Sequence, residues 1–357
     1  MKQKFIMMLA MAAMATGCSK NDALMPEPGG RETPISVKAS TRAVETRAPH
    51  TDAIAEDTPF KAQVFTTKTK GKYSTASDLY ASGTITFTGA GEMAYDDPMI
   101  SGNRTFPSDG SSIYLLGLYP YDDMYTGQKW AFTTTAATYK FSGKEDVITA
   151  KEVKTTKKAD ADAGTFETLE FEHQLTLLEI HVVAETEDAA KAWGTLKEVA
   201  FTHNLTSTTF KNTLSVNTST GTATISATPT VTGWPVYTAD DATFTGQTLD
   251  IPYGSEGQTT DELKTMAQTI GTTLVAPITA KGTSDFTMAI KSQPTGAGEV
   301  TKDGIKIDLK TSDGSAFTGN TKGQKFVLTL IFRSQDIKAI GTLTPWGEGG
   351  SADADVN

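Results

Sequence analysis

This sequence predicts an all-β chain of antiparallel β-sandwiches, on three observations. Threonine, serine and glycine recur throughout, and they favour strands and turns over helices. Short runs with apolar residues at alternate positions return along the chain, with turn residues between them. No long stretch carries the 3.6-residue apolar period of a packed helix, which leaves sheet on sheet as the way to bury these faces.

The N-terminus is a different kind of segment. Lys2 and Lys4 precede the apolar run Phe5-Ile6-Met7-Met8-Leu9-Ala10-Met11, and Ala15-Thr16-Gly17 place small residues before Cys18. Residues 1–17 therefore read as a secretory signal peptide whose apolar part is too short to span a bilayer. Small residues directly before a cysteine resemble the bacterial lipobox, in which the thiol is acylated and the cysteine begins the mature protein. Cys18 is the expected lipidation site, and acyl chains hold a protein on a membrane at about 0.8 kcal/mol per buried methylene. It is the only cysteine, so packed cores rather than disulfides must stabilise the fold.

Residues 19–33 are polar and aperiodic, as suits a tether. Ile35, Val37 and Ala39 alternate in the strand-like run 34–40, and Arg42 and Arg47 follow it. After another polar stretch, Phe60-Lys61-Ala62-Gln63-Val64-Phe65 resumes as a strand. Residues 83–88 alternate and stop at Gly89-Ala90-Gly91. Residues 112–119 are continuously apolar, like a strand buried on both faces, until Pro120 ends them. A short strand at 146–150 precedes the polar tract 155–164, where a domain boundary is expected.

Beyond it, apolar residues alternate from Phe171 to Leu177, and the phase flips at Leu177-Leu178, where a β-bulge is expected. Residues 185–193 suggest a short helix or loop, and 261–269 a helical turn with Leu263 and Met266 three apart. Further strands are expected at 199–201, 222–225, 286–291, 305–309, 325–333 and 337–346. Roughly 340 residues after the signal suggest two domains. The expected layout is a signal peptide at 1–17, a lipidated propeptide at 18–47, and β-sandwiches at 48–163 and 164–357.

Charge and motifs exclude several function classes. The formal net charge is −10, or −12 once Lys2 and Lys4 leave with the signal, which argues against nucleic acid as a partner. There is no Gly-x-Ser-x-Gly elbow, Walker loop or His-Glu-x-x-His motif. Four histidines (His50, His173, His181 and His203) read as strand or edge residues. Asp160-Ala161-Asp162-Ala163-Gly164 starts like a calcium loop, but Phe171 stands where the bidentate glutamate belongs. Asp96-Asp97, Asp122-Asp123 and Asp240-Asp241 read as turn formers. No catalytic residue, metal ligand or cofactor is assigned. Tyr119, Tyr121 and Trp130 form either a glycan-stacking patch or, preferably, the cap of a sandwich.

Several phrases converge on one family. They are the lipobox, the strand before Thr41-Arg42-Ala43, the run Leu118-Tyr119-Pro120-Tyr121, Phe171-Glu172-His173-Gln174-Leu175, and the ending Phe326-Val327-Leu328-Thr329-Leu330 with Ile340-Gly341-Thr342-Leu343-Thr344-Pro345-Trp346. Together they resemble the fimbrillin (Mfa-like) family of Gram-negative surface pilins. The resemblance implies two tandem transthyretin-like β-sandwiches and export to the outer membrane as a lipoprotein. It also implies that an arginine-directed protease releases the first strand and that a strand from another pilus subunit takes its place. Carried onto this chain, the removable strand holds Ile35, Val37 and Ala39, and the cut follows Arg42 or Arg47. Ile340, Leu343 and Trp346 mark a donor strand or simply the last strand. The short acidic tail after Trp346 makes a tip or accessory subunit a natural alternative to a stalk subunit. A second function class is a surface lipoprotein that stays anchored through Cys18 and binds glycan or host protein without polymerising.

Overall fold

The computed structural model describes residues 38–41, 60–88, 92–94, 101–102, 105–155, 168–204, 209–227, 231–277, 286–307, 309, 315, 317, 321–334 and 336–345. All belong to one compact unit.

The chain begins with β1 (Lys38–Thr41). β2 (Phe60–Thr67) and β3 (Leu79–Thr88) form an antiparallel hairpin, and β4 (Glu92–Ala94) and β5 (Ser101–Gly102) both pair with β3. β6 (Ile113–Tyr119) runs antiparallel to β2. A small hairpin of β7 (Ala131–Phe132) and β8 (Ala136–Lys140) follows, then β9 (Ile148–Ala150) and β10 (Val153–Thr155), each paired with β6. β11 (Thr168–His173) lies between β9 and β1. The result is a nine-stranded sheet whose main path runs β1-β11-β9-β6-β2-β3-β4.

The chain then changes sheets. β12 (Thr176–Ala184) leads through α1 (Glu187–Trp193) to β13 (Thr195–Asn204), and β14 (Thr209–Phe210) precedes the hairpin of β15 (Thr213–Asn217) and β16 (Ala223–Ser226). β17 (Val231–Thr232) pairs with β14, while β18 (Trp234–Pro235) and β19 (Thr245–Asp250) pair with β13. After α2 (Thr260–Met266) come β20 (Gln268–Val275), β21 (Phe286–Gln293), β22 (Val300–Ile307), β23 (Gln324–Phe332) and β24 (Ile337–Pro345). They complete a four-stranded sheet, β20-β12-β23-β24, and a second sheet, β18-β13-β21-β22 with β19 also on β13. Both short helices are capped by threonine. Thr186 Oγ1 accepts from Ala189 N–H, and Thr259 forms a capping box with Glu262.

The architecture is all-β and layered. Leu178, Ile180 and Val182 of β12 and Phe326, Leu328 and Leu330 of β23 share one buried cluster with Phe201 of β13 and Met288 and Ile290 of β21. That cluster continues into the first half of the chain, because β15 pairs with β8 and the strands β16-β15-β8-β7 form one sheet. Leu116 and Leu118 of β6 join it on one side, whereas Ile113, Leu115 and Tyr119 face a separate core. β6 is thus buried on both faces, as its unbroken apolar run requires.

The phase flip at Leu177-Leu178 has a different cause from the expected bulge. The chain leaves the nine-stranded sheet after His173 and enters the next at Thr176, so two strand periodicities abut. Leu177 and Leu178 are both wholly buried, and the register irregularity of β12 against β20 lies between Ile180 and His181. The expected domain boundary at 163/164 lies outside the described residues. Strands on its two sides are interleaved, since β11 pairs with β9 and β15 with β8.

Candidate functional site

β1 ends the main path of the nine-stranded sheet and, among the described residues, pairs with a single strand. Lys38, Ala39, Ser40 and Thr41 stand in parallel register with Thr168, Leu169, Glu170 and Phe171. Leu169 and Phe171 are wholly buried, in a core shared with Ala62, Val64, Ile85, Leu115 and Ile148. The Phe171 ring presses on the backbone of β6. A Cβ added to Gly117 would stand 2.5 Å from Phe171 Cζ, so only glycine admits the ring there. β11 therefore supplies both the edge that holds β1 and part of the wall of the first core.

The far end of β11 is pinned by polar contacts. His173 Nδ1 lies 2.9 Å from Asp146 Oδ2, and both residues are buried. Breaking such a pair by removing one partner leaves a buried group uncompensated. Gln174 N–H donates to Val147 O at 2.8 Å, and its Nε2 donates to Thr149 Oγ1 at 2.9 Å. Lys322 Nζ reaches Glu172 Oε2 at 3.2 Å. Gln174 also lines a cavity of about 310 Å³ with Lys211, Ala223, Ile225, Ala276, Pro277 and Lys322.

At the other end of the chain, β24 pairs antiparallel with β23 from Ile337 opposite Phe332 to Pro345 opposite Gln324. Ile340 stands opposite Thr329, and Leu343, buried in the large core, stands opposite Phe326. On the outer face of the same sheet, Glu179 Oε1 meets His181 Nε2 at 2.6 Å and Oε2 meets Lys325 Nζ at 2.7 Å. Burial alone would raise the Glu179 carboxyl. Hydrogen bonds from His181 and Lys325, with their charges, outweigh it and hold the pKa at about 2.

Of the residues singled out from sequence, Ala39 lies in β1, Ile340 in β24 and Leu343 in β24. Cys18, Ile35, Val37, Arg42, Arg47 and Trp346 lie outside the described residues, as do His50, Asp96-Asp97 and the 160–164 run. Trp130 is a core residue: its Nε1 donates to Pro120 O at 2.7 Å, and its ring packs 5.0 Å from that of Tyr139. Tyr119 is also buried, and that burial drives its phenol pKa well above the ordinary value. These two rings cap the sandwich rather than offering a platform. Asp122 accepts from Trp130 N–H at 3.0 Å, and Asp123 and Asp241 adopt positive φ, so both acidic pairs shape turns. Sequence reading missed the Asp146 partner of His173 and the role of Leu169 as the neighbour of Ala39. Neither carries a local signal, because both contacts join segments distant along the chain. Among the described residues no helix is long and apolar enough to cross a membrane, and no three His, Cys, Asp or Glu side chains gather as a metal-holding group.

A family model described as fimbrillin-like matches residues 41–346. No curated protein matches the chain. Among solved structures, the chain is similar to a candidate cell adhesion protein from Bacteroides uniformis (TM-score 0.48, 16% identity, 87% of this chain and 99% of that one). It is also similar to a fimbrial protein from Bacteroides vulgatus (TM-score 0.47, 13% identity, 87% and 99%). A fimbrial assembly protein from Parabacteroides distasonis shows TM-score 0.37 and 13% identity over 88% of this chain and 97% of that one.

Proposed function

The chain belongs to the fimbrillin-like family, and from that premise we propose that it is a structural or tip/accessory subunit of a surface fimbria, assembled by strand replacement at β11. Membership supports a pilus-subunit or adhesion role at the cell surface. The observation that carries the finer reading is the placement of β1. Among the described residues it is a short end strand paired with β11 alone, so its leaving breaks no other pairing described in the sheet.

Its departure would leave backbone groups of β11 unpaired and expose the core around Leu169 and Phe171. A strand donated by another subunit restores the ladder and refills the groove. Because the donor and acceptor surfaces differ, such contacts do not close and a fibre grows. Arg42 and Arg47 lie between β1 and β2, so one cut there frees the strand together with Cys18. In this reading the outer membrane holds the precursor through lipid on Cys18, and the same event releases the subunit and opens its groove. The pairing of β24 along its whole length supports keeping it as the last strand of the second sandwich, with any donor drawn from beyond Pro345.

Purified precursor (residues 19–357) treated with a trypsin-like protease tests this. Loss of about 25–30 residues followed by SDS-resistant ladders or fibres is the stalk outcome, and clean loss without self-assembly is the tip or accessory outcome. Resistance of the 42–57 stretch to the protease would sink strand removal.

A further inference from the structure

The cavity of about 310 Å³ beside Gln174 has walls of two kinds. Ala223 and Ile225 of β16, with Ala276 and Pro277 after β20, present carbon, whereas Lys211 and Lys322 bring amines. An apolar wall with a few polar groups, at this size, is the usual make-up of a small-ligand site. β16 is held by β15, and β15 by β8, so that wall stands on a sheet.

Gln174 places a specific demand on an occupant. It is 3% exposed, and its Nε2 donates to Thr149 Oγ1 and to Glu172 O, each at 2.9 Å. A carbonyl can only accept, so Glu172 O fixes which way the amide is turned. Oε1 is left with no hydrogen-bond partner among the described residues, and a buried acceptor in that state calls for a donor. Lys211 is exposed and makes no ion pair among the described residues, whereas Lys322 Nζ reaches Glu172 Oε2 at 3.2 Å. The Lys211 charge is therefore uncompensated at the cavity.

A matching ligand carries a carboxylate for Lys211, a hydroxyl for Gln174 Oε1, and a carbon face for Ile225 and Pro277. A sugar acid has all three on one ring. A fatty acid lacks the hydroxyl donor, and a neutral sugar lacks the charge. Lys211 and Thr224 are both exposed at the cavity, which leaves a way out for a glycosidic bond. We propose that this cavity binds a carboxylated monosaccharide at the end of a glycan. The proposal goes beyond strand replacement and needs none of it, so either reading can fail alone.

The test uses the precursor (residues 19–357) with saturation-transfer NMR and titration calorimetry. The probes are methyl glycosides of glucuronate, galacturonate and N-acetylneuraminate, against methyl glucoside and methyl galactoside as neutral counterparts. At least one acidic glycoside is expected to bind about tenfold or more tightly than the neutral ones, and Lys211→Glu to remove that preference. Thr224→Trp, at an exposed position on the wall, is expected to block binding with the circular dichroism of the parent retained. No saturation transfer to any acidic glycoside, equal binding of acidic and neutral sugars, or a preference that survives Lys211→Glu overturns the proposal. Binding of free glucuronate without any of the glycosides overturns the end of a glycan as the source.

Discussion

The chemistry of single residues here is that of support. Gly117 admits Phe171, Asp146 meets the imidazole of His173, and the Pro120 carbonyl oxygen accepts a hydrogen bond from the Trp130 indole N–H. Glu179 yields a measurable consequence. Its carboxyl titrates at about 2 in the folded protein against an ordinary value of 4.5, because His181 and Lys325 outweigh the cost of burial. A folded pKa below the unfolded one gives stability that is complete above about 4.5 and lost as pH falls towards 2. Glu179→Gln should lower stability at neutral pH, and the gap to the parent should narrow by about 1–3 kcal/mol between pH 4.5 and 2. Urea unfolding across that range measures it. A gap independent of pH would mean that the carboxylate's partners do not hold it in solution. The motif Glu179-x-His181 is visible in the sequence, but Lys325 reaches it only through the parallel pairing of β12 with β23.

Among the elements, the strands were legible and their neighbours were not. Alternation places β11, β12, β21 and β23, and the continuous apolar run places β6. Pairing is another matter. β1 with β11 and β12 with β23 are parallel contacts between distant segments, which no hairpin signal announces. The break between β11 and β12 reads in one dimension as a bulge, because a change of sheet and a bulge both shift the inward phase by one residue. If β1 is held as a detachable edge, its removal should loosen its neighbour first. Hydrogen exchange before and after the protease step should show protection falling at least about tenfold in the amides of β11, with β12 and β23 little changed. Equal loss in all of these strands would mean that β1 supports the whole molecule instead of one groove.

At the scale of the whole molecule, one large core runs from Phe65 and Leu118 through Leu214 to Leu330 and Leu343, and the sheet of β8 with β15 bridges the two halves of the sequence. Elements that share a core lose their packing together. The precursor should therefore unfold in urea as one transition, with tryptophan fluorescence and far-ultraviolet circular dichroism coincident. Two transitions separated by more than about 1 M would show halves that fold independently. The sequence by itself determined the all-β class, the position of most strands, and the strand before the two arginines. All of these are written in local period, composition and spacing. Only the tertiary structure decided which edge holds that strand, that His173 has a buried acidic partner, that the aromatic cluster is core, and that a cavity lies beyond β11. Each of those depends on contacts between segments far apart in the chain, and strand pairing over such distances is set by how whole sheets bury their faces.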